Sequence, residues 1–334
     1  MPVKKDDVLG HFRLLHRALD QAGKEAILSF ANFSVLIRGH GQDHILYPQF
    51  LAVSEGRRHY VQTFSNQSRK FIGWLPYYNK RWELASDKLK FKRYAQEHGL
   101  ATPEFSLDPA REMENVLIKR GQSSFGSQIQ GPFRSNAGLT LDVTEGEYFE
   151  RFISGKILKI WYWDNLPACM EIDVMPFVLG DGVSTVKELL LRRLVEQGRL
   201  AAMDAPFDFS KTEQVLAYDG KTLDSVPGRH DKQRVEIRYG SDLRLPCDRK
   251  VVNLQKRMPE DLKESLLRIG EVAWQGIPAE IRNGTVFTID AILDAERQIW
   301  VLEMNSNPFV HPLVYGLMGQ TLFKGQTLPP KAMH

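Results

Sequence analysis

The chain is poor in the features that mark several common chemistries. Only two cysteines, Cys169 and Cys247, occur in 334 residues, too few for a disulfide framework or a four-cysteine zinc site. No apolar run approaches the roughly 20 residues that a membrane-crossing helix needs. Neither sign of charge dominates. The 44 Lys and Arg stand against 41 Asp and Glu, a net charge of +3, without the basic excess of a dedicated nucleic-acid binder. No dinucleotide fingerprint, HExxH, CxxC or GxSxG appears, which removes the sequence signals of several hydrolase and redox classes. Internal repeats and low-complexity tracts are also missing. The opening residues MPVKKDDVLG carry charge with no apolar stretch behind them, so no secretory leader is expected. The Asn-x-Ser/Thr matches at Asn32, Asn66 and Asn283 then carry no meaning, and a cytoplasmic location is the expectation.

What is present reads as an ordinary soluble globular chain, 43% hydrophobic and 25% charged. Val8, Phe12, Leu15 and Leu19 recur at helical spacing over 7–21. Strand-like runs follow at 26–37, 44–53 and 59–64. The stretch 86–98 is helical again, with Ser86 or Asp87 as cap, Gly99 as stop and Pro103 beyond. A first boundary is expected near there. The spacing predicts strands at 115–119, 147–153, 157–163 and 168–178, with a Gly/Ser/Gln-rich loop over 121–138. Thr185 and Glu188 are spaced as a capping box for a helix after Gly180-Asp181-Gly182. Pro259 marks the start of a second helix running to Gln275, and strands close the pattern at 285–293 and 298–304. Helices and strands mix without strict alternation, which predicts an α+β fold.

The segment from Asp290 to Pro308 carries the clearest chemistry. With a turn centred between Glu296 and Arg297, Asp290 faces Glu303 across an antiparallel pair, Cβ atoms about 5 Å apart, where uncompensated like charges repel. Asn305 lies on the same face two residues on. Two carboxylates and an amide oxygen suit Mg²⁺, a hard cation that takes oxygen ligands and shares itself with phosphates. The same acids on a surface hairpin would simply sit in water, and this segment alone favours neither reading. Lys88 opens a helix, and Lys119 ends a strand before Gly121-Gln-Ser-Ser-Phe-Gly126, a loop able to offer N–H groups to phosphate oxygens. It is not a Walker A loop. Lys90, Lys92 and Arg93 read as a solvated helix face, and Trp161, Tyr162 and Trp163 as core. Both cysteines read as inert packing; His311 takes the same bland reading, with lining of a substrate pocket as its lesser alternative, from its place just past Asn307-Pro308.

The order of these parts resembles the ATP-grasp superfamily. The segments Phe149–Gly155, Gly180-Asp-Gly-Val-Ser-Thr-Val-Lys-Glu-Leu189 and Lys221-Thr-Leu-Asp-Ser-Val-Pro227 are similar to the ATP-grasp module of cyanophycin synthetases and fused glutathione synthetases, and Val235-Glu-Ile-Arg238 takes the place of its arginine-bearing strand. The likeness runs from about Asp87 to Pro308. It implies three subdomains with nucleotide between two antiparallel-sheet α+β lobes: an N-terminal domain over 1–104, a central lid over 105–154 and a C-terminal part with the metal site over 155–334. It implies ATP and one or two Mg²⁺, with Mn²⁺ as an alternative, held by Asp290, Glu303 and Asn305. Lys88, Lys119, Ser123, Ser124 and Lys159 would face phosphates, Glu150, Arg151, Phe152 and Ile153 would form the hinge over adenine, and Arg238 with Lys119 would act at the transferred phosphoryl group. The implied reaction joins an amino acid or small peptide to an amine through an acyl phosphate, releasing ADP and phosphate. A kinase that stops at phosphoryl transfer and a silent nucleotide-binding subunit are the alternatives. The implied partners are small molecules, with no nucleic acid or membrane, and homodimers are common among relatives. Three departures stand out: Ile157 where an acid is common, Lys159 where arginine is common, and Ser241–Cys247 without the family's glycines.

Overall fold

The computed structural model describes residues 5–39, 41–54, 57–121, 129–198, 207–238, 243 and 249–322. The apolar stripe of the first segment folds as α1 (Lys5–Asp20). The run 26–37 is two strands rather than one, β1 (Glu25–Leu28) and β2 (Val35–Gly39), paired so that Ala26 faces Ile37. The Asn32 side chain accepts from the Ser34 N–H, and Phe33 takes a φ of 56°, which turns the chain between them. β3 (Gln42–Ser54), β4 (Arg57–Val61) and β5 (Ser68–Leu75) complete this antiparallel sheet, with β4 and β5 both on β3. β5 lacks the alternation that betrays a half-exposed strand, because Phe71, Ile72, Trp74 and Leu75 are all buried. Sequence patterning passes over it for that reason.

α2 (Lys88–Glu97) starts where expected, its Asp87 cap accepting from the Leu89 and Lys90 N–H groups at 2.9 and 3.1 Å. A second sheet comprises β6 (Phe105–Ser106), β7 (Glu114–Arg120), β8 (Gln130–Ser135) and β9 (Glu147–Arg151), in the order β6-β9-β7-β8. β8 corrects the expectation of loop through 138; its Gly131 and Pro132 hide it from propensity arguments. Val116, Ile118 and Phe149 bury one face of this sheet with Met113. Alternation therefore sends Leu117, Lys119, Tyr148 and Glu150 to the other.

The third sheet positions the acids. Along the chain come β10 (Lys156–Trp163), β11 (Leu166–Asp173), β12 (Phe177–Leu179), α3 (Val186–Glu196), α4 (Ser210–Tyr218), β13 (Lys232–Arg234), β14 (Arg249–Asn253), α5 (Glu260–Gln275), α6 (Ala279–Arg282), β15 (Val286–Leu293), β16 (Ile299–Ser306) and α7 (Val314–Thr321). The stretch 168–178 breaks after Asp173, so that β12 pairs with β13 in a separate ribbon. Thr185 and Glu188 form the capping box. The sheet order is β14-β11-β10-β15-β16, antiparallel throughout. One face carries Leu158, Ile160, Tyr162, Phe287, Ile289 and Met304 against α5 and against Phe91 and Ala95 of α2. Each fully buried Leu or Ile there contributes about 1.5–3 kcal/mol. The alternate residues, Lys159, Trp161, Thr288, Asp290, Glu303 and Asn305, face the other way. No helix among the described residues is long and apolar enough to cross a membrane.

α7 ties the chain's end to its start. The Tyr315 hydroxyl accepts from the Trp74 N–H at 3.0 Å and lies 2.9 Å from His11 Nδ1. Burial first, then the nearby His311, push the His11 pKa down to about 4, against the opposing pull of the Val310 backbone. The folded state thus binds fewer protons than the unfolded chain between pH 6.5 and 4. Stability should be full above pH 6.5 and fall through that window, by up to about 3 kcal/mol. Urea titrations of wild type and His11→Gln at several pH values check this, with the variant expected to show a flatter profile.

Candidate active site

The β15–β16 hairpin brings the two acids together by a route different from the expected one. Leu293 faces Ile299, and Arg297 has a φ of 68°, so the three-residue turn centres on Glu296. A continuous ladder from that turn would set Asp290 opposite Leu302. A bulge intervenes: Ala291 faces Val301, Leu302 is the extra residue, and Asp290 then faces Glu303. The expected pairing exists because one residue is inserted. Asn305 lies opposite Thr288 on the same face, and its Nδ2 donates to Asp290 Oδ2 at 3.3 Å.

Each acid has its own lysine. Lys159, the β10 register partner of Asp290, places Nζ 2.7 Å from Oδ1. Lys88, at the first position of α2, places Nζ 2.9 Å from Glu303 Oε2. Both carboxyl side chains are about a quarter exposed or less. Burial pushes Asp290 up to about 6, with Lys159 pulling it down and Glu303 pushing it further up. Burial pushes Glu303 up, but Lys88, the hydrogen bond shared with Asp290 and the charge of Lys159 together bring it below its ordinary value.

A second charge group sits alongside. Glu150 of β9 is 1% exposed and bridges two lysines: Lys92 lies 2.7 Å from Oε2, and Lys119 is hydrogen-bonded to Oε1. Tyr148 also donates to Oε2, at 3.4 Å. Burial alone would raise Glu150, but Lys119 and Lys92 overcome it and bring its pKa to about 2. Glu303 acts electrostatically on both Lys92 and Tyr148, so the two groups are neighbours. Lys92 corrects the solvated-face reading of its helix, since it is 1% exposed. The signal was available: Lys88, Phe91, Lys92 and Ala95 are spaced as the inward stripe of α2. The α2 start is fastened to the second sheet, its Lys88 N–H donating to the Gly121 carbonyl at 3.3 Å.

Phe152 is buried and Ile153 half-buried, in an apolar cluster with Leu117, Ile157, Met175 and Leu302, the last adjacent to Glu303. Arg151 is exposed. Arg238 is pinned by its Nε to Glu236 Oε2 at 2.9 Å, and no contact joins it to the acids of β15 and β16 among those of the described residues. Ser123, Ser124 and, apart from Leu243, the stretch 241–247 lie outside the described residues. The GDG segment is a structural turn: Asp181 accepts from the Val183 and Ser184 N–H groups, and a Cβ on Gly180 would meet the Gly228 carbonyl at 2.2 Å. Trp161, Tyr162 and Trp163 are core, as read from the sequence. Cys169 is buried, with its thiol pushed well above its ordinary value by burial and then by Glu171. His311 lies against the Trp161 ring.

No family model and no curated protein sequence matches the chain. Solved structures similar to parts of it include a bifunctional glutathione synthetase from Pasteurella multocida, at 17% identity and a TM-score of 0.36 over 88% of this chain and 40% of that one. A D-alanine–D-alanine ligase from Bacillus anthracis complexed with ATP follows at 10% and 0.36, over 68% and 57%. A D-cycloserine synthetase follows at 10% and 0.38, over 70% and 69%. The chain spans less than two thirds of the length of the first two. Likeness of this degree assigns neither a family nor a substrate.

The Glu150 group makes a direct prediction. Lys92→Met leaves a buried carboxylate with half its compensation and should cost about 3–5 kcal/mol in urea unfolding. Adding Glu150→Gln to that variant should recover part of the loss, because the stranded charge is gone.

Proposed function

We propose that the chain is an ATP-dependent carboxylate–amine ligase of ATP-grasp type, which joins an amino acid or small peptide to an amine. The observation that carries this reading is the pairing of Asp290 with Glu303, each held by its own lysine, beside a buried Lys92–Glu150–Lys119 group. The division into an N-terminal domain over 1–104, a lid over 105–154 and a C-terminal part over 155–334 belongs to the same proposal. So do a cytoplasmic location and small-molecule partners.

The donor set fits a metal that arrives with its substrate. Among the described residues no three His, Cys, Asp or Glu side chains form a metal group. Two carboxylates and the Asn305 amide oxygen are all-oxygen donors, too few for a protein cage and suited to Mg²⁺, which keeps waters and substrate phosphates in its shell. Asp290, Glu303 and Asn305 would hold it, and bound there it would neutralise charge on the phosphates during transfer. The protein's own groups supply the rest. Lys88 and Lys159 end on these acids and Lys119 on the neighbouring Glu150; all three would turn to phosphate oxygens, while Lys92 stays behind to compensate Glu150. Ile153, Leu117 and Leu302, members of one apolar cluster, would pack against adenine next to the hinge 150–153. Arg238 would stabilise the transferred phosphoryl group. Such chemistry relies on positioning and charge rather than on a covalent nucleophile, which agrees with the inert surroundings of Cys169.

Incubation with ATP, Mg²⁺ and panels of amino acids and amines, with phosphate release and product mass as readouts, tests the reading. An amide product with stoichiometric phosphate is expected, and Glu303→Gln should lower turnover by at least about 100-fold without unfolding the chain. A stable phosphorylated product would point to the kinase alternative. ATP binding without turnover, unchanged by Glu303→Gln, would point to a silent subunit.

A further inference from the structure

The link between β9 and β10 borders an open cavity of about 490 Å³ that the reading above leaves unused. Ser154 and Gly155 of the link line it together with Met175, Asp219, Lys232, Gln233 and Arg234. Asp219 follows the last turn of α4. That helix is fastened to the second sheet at two points. The Tyr218 hydroxyl donates to Asn115 Oδ1 at 2.8 Å, and Gln214 Oε1 accepts from the Gly131 N–H at 3.3 Å. The carboxylate is therefore delivered to the hinge by an element outside the sheet that carries the acids.

The polar groups in the cavity are linked around Asp219, which keeps spare acceptor capacity. Asp219 Oδ1 accepts from Arg234 Nη2 at 2.6 Å and Oδ2 from Gln233 Nε2 at 3.3 Å. Each carboxylate oxygen has capacity for a further donor. Arg234 Nη1 donates to Ser154 Oγ at 3.3 Å, and its guanidinium lies over the rings of Phe152 and Tyr218 at 5.1 and 5.6 Å. Arg234 is thus fixed by two rings, a hydroxyl and the acid, and in turn it fixes Asp219. A carboxylate held this way in a cavity that Met175 also lines matches the needs of a vicinal diol, whose two hydroxyls must both donate.

The cavity also has the right place. Met175 belongs both to its lining and to the apolar cluster that reaches Leu302 beside Glu303. Gly155 precedes Lys159 by four residues of an extended chain, roughly 13 Å, a span that the ribose and phosphates of a nucleotide bridge. Gly155 is required there, since a Cβ would meet the Leu293 carbonyl at 2.3 Å. Ile157, two residues on from Gly155, is buried in the apolar cluster and offers no acceptor.

We infer that the cavity beside the hinge is the subsite for the ribose diol of the bound nucleotide, with Asp219 as its acceptor and Arg234 as the positioning residue. This rests on the nucleotide-binding reading above. Calorimetric titration of the full chain with ADP and with 2′-deoxy-ADP, both with Mg²⁺, tests it. Wild type should prefer ADP by about tenfold, the scale of one lost hydrogen bond to a charged group. Asp219→Ala should weaken ADP binding to the level of the deoxy compound, whose own affinity barely changes. Equal binding of the two nucleotides by wild type, or an undiminished preference in folded Asp219→Ala, overturns the inference while nucleotide binding stands. Should wild type take up neither nucleotide, the ligase reading itself falls, and this one with it. Because removal of Asp219 strands Arg234, Ser154→Tyr at an exposed position provides a second variant that obstructs the cavity from its rim. It should lose the preference too, and full retention of the preference there would also overturn the inference.

Discussion

Two carboxylates facing each other across a β-ladder are costly. About 5 Å apart, at an effective dielectric of about 20, they repel by about 3 kcal/mol. The chain accepts Asp290 opposite Glu303 and places one lysine on each from different elements, Lys159 from the neighbouring strand and Lys88 from the start of a helix. That arrangement explains much of the surrounding architecture. α2 must begin at the edge of the second sheet for Lys88 to reach Glu303, and β10 must lie beside β15 in a register that sets Lys159 opposite Asp290. The hairpin must carry its bulge, or Leu302 would occupy the place of Glu303. A site whose charges are balanced only by long, mobile lysines is one in which an incoming cation and an incoming polyanion can exchange partners with them.

The buried Lys92–Glu150–Lys119 group works on different terms. Glu150 and Lys92 are both almost fully removed from solvent, so neither can lose its partner cheaply. Lys119 has more freedom, at 11% exposed. Two lysines stand against one carboxylate here; burial pulls Lys92 below its ordinary value, and the charges of Glu150 and Glu303 oppose that shift. The second sheet and the third sheet are thereby coupled through charge as well as through the apolar cluster of Leu117, Ile153 and Leu302.

The parts of the site legible in the sequence were those governed by local rules. Period-two alternation placed Asp290, Glu303 and Asn305 on one face, capping chemistry placed Lys88 at a helix start, and Thr185 with Glu188 announced α3. The bulge at Leu302 was not legible, because a one-residue insertion leaves no compositional mark. The turn assigned from the residues was off by half a position, and the bulge offset that difference. The charge of Lys92 suggests a solvated face, whereas its place in the stripe with Phe91 and Ala95 puts it inside. β5 and β8 were missed for opposite reasons, the first being too uniformly apolar to show a period and the second carrying Gly and Pro. Asp219 and Arg234 are fifteen residues apart in sequence, and only the packing of α4 against the β12–β13 ribbon makes them partners.

The account depends on Asp290 and Glu303 receiving magnesium nucleotide between them. Calorimetric titration of the folded chain with ATP, in the presence and absence of Mg²⁺, measures this most directly. Saturable heat that requires the metal, and that Asp290→Asn and Glu303→Gln each abolish, is the predicted result; Arg268→Ala, at an exposed α5 position whose guanidinium donates to the His98 carbonyl, should leave it intact. Absence of saturable heat from well-folded wild-type protein, or binding indifferent to both acids, would contradict it.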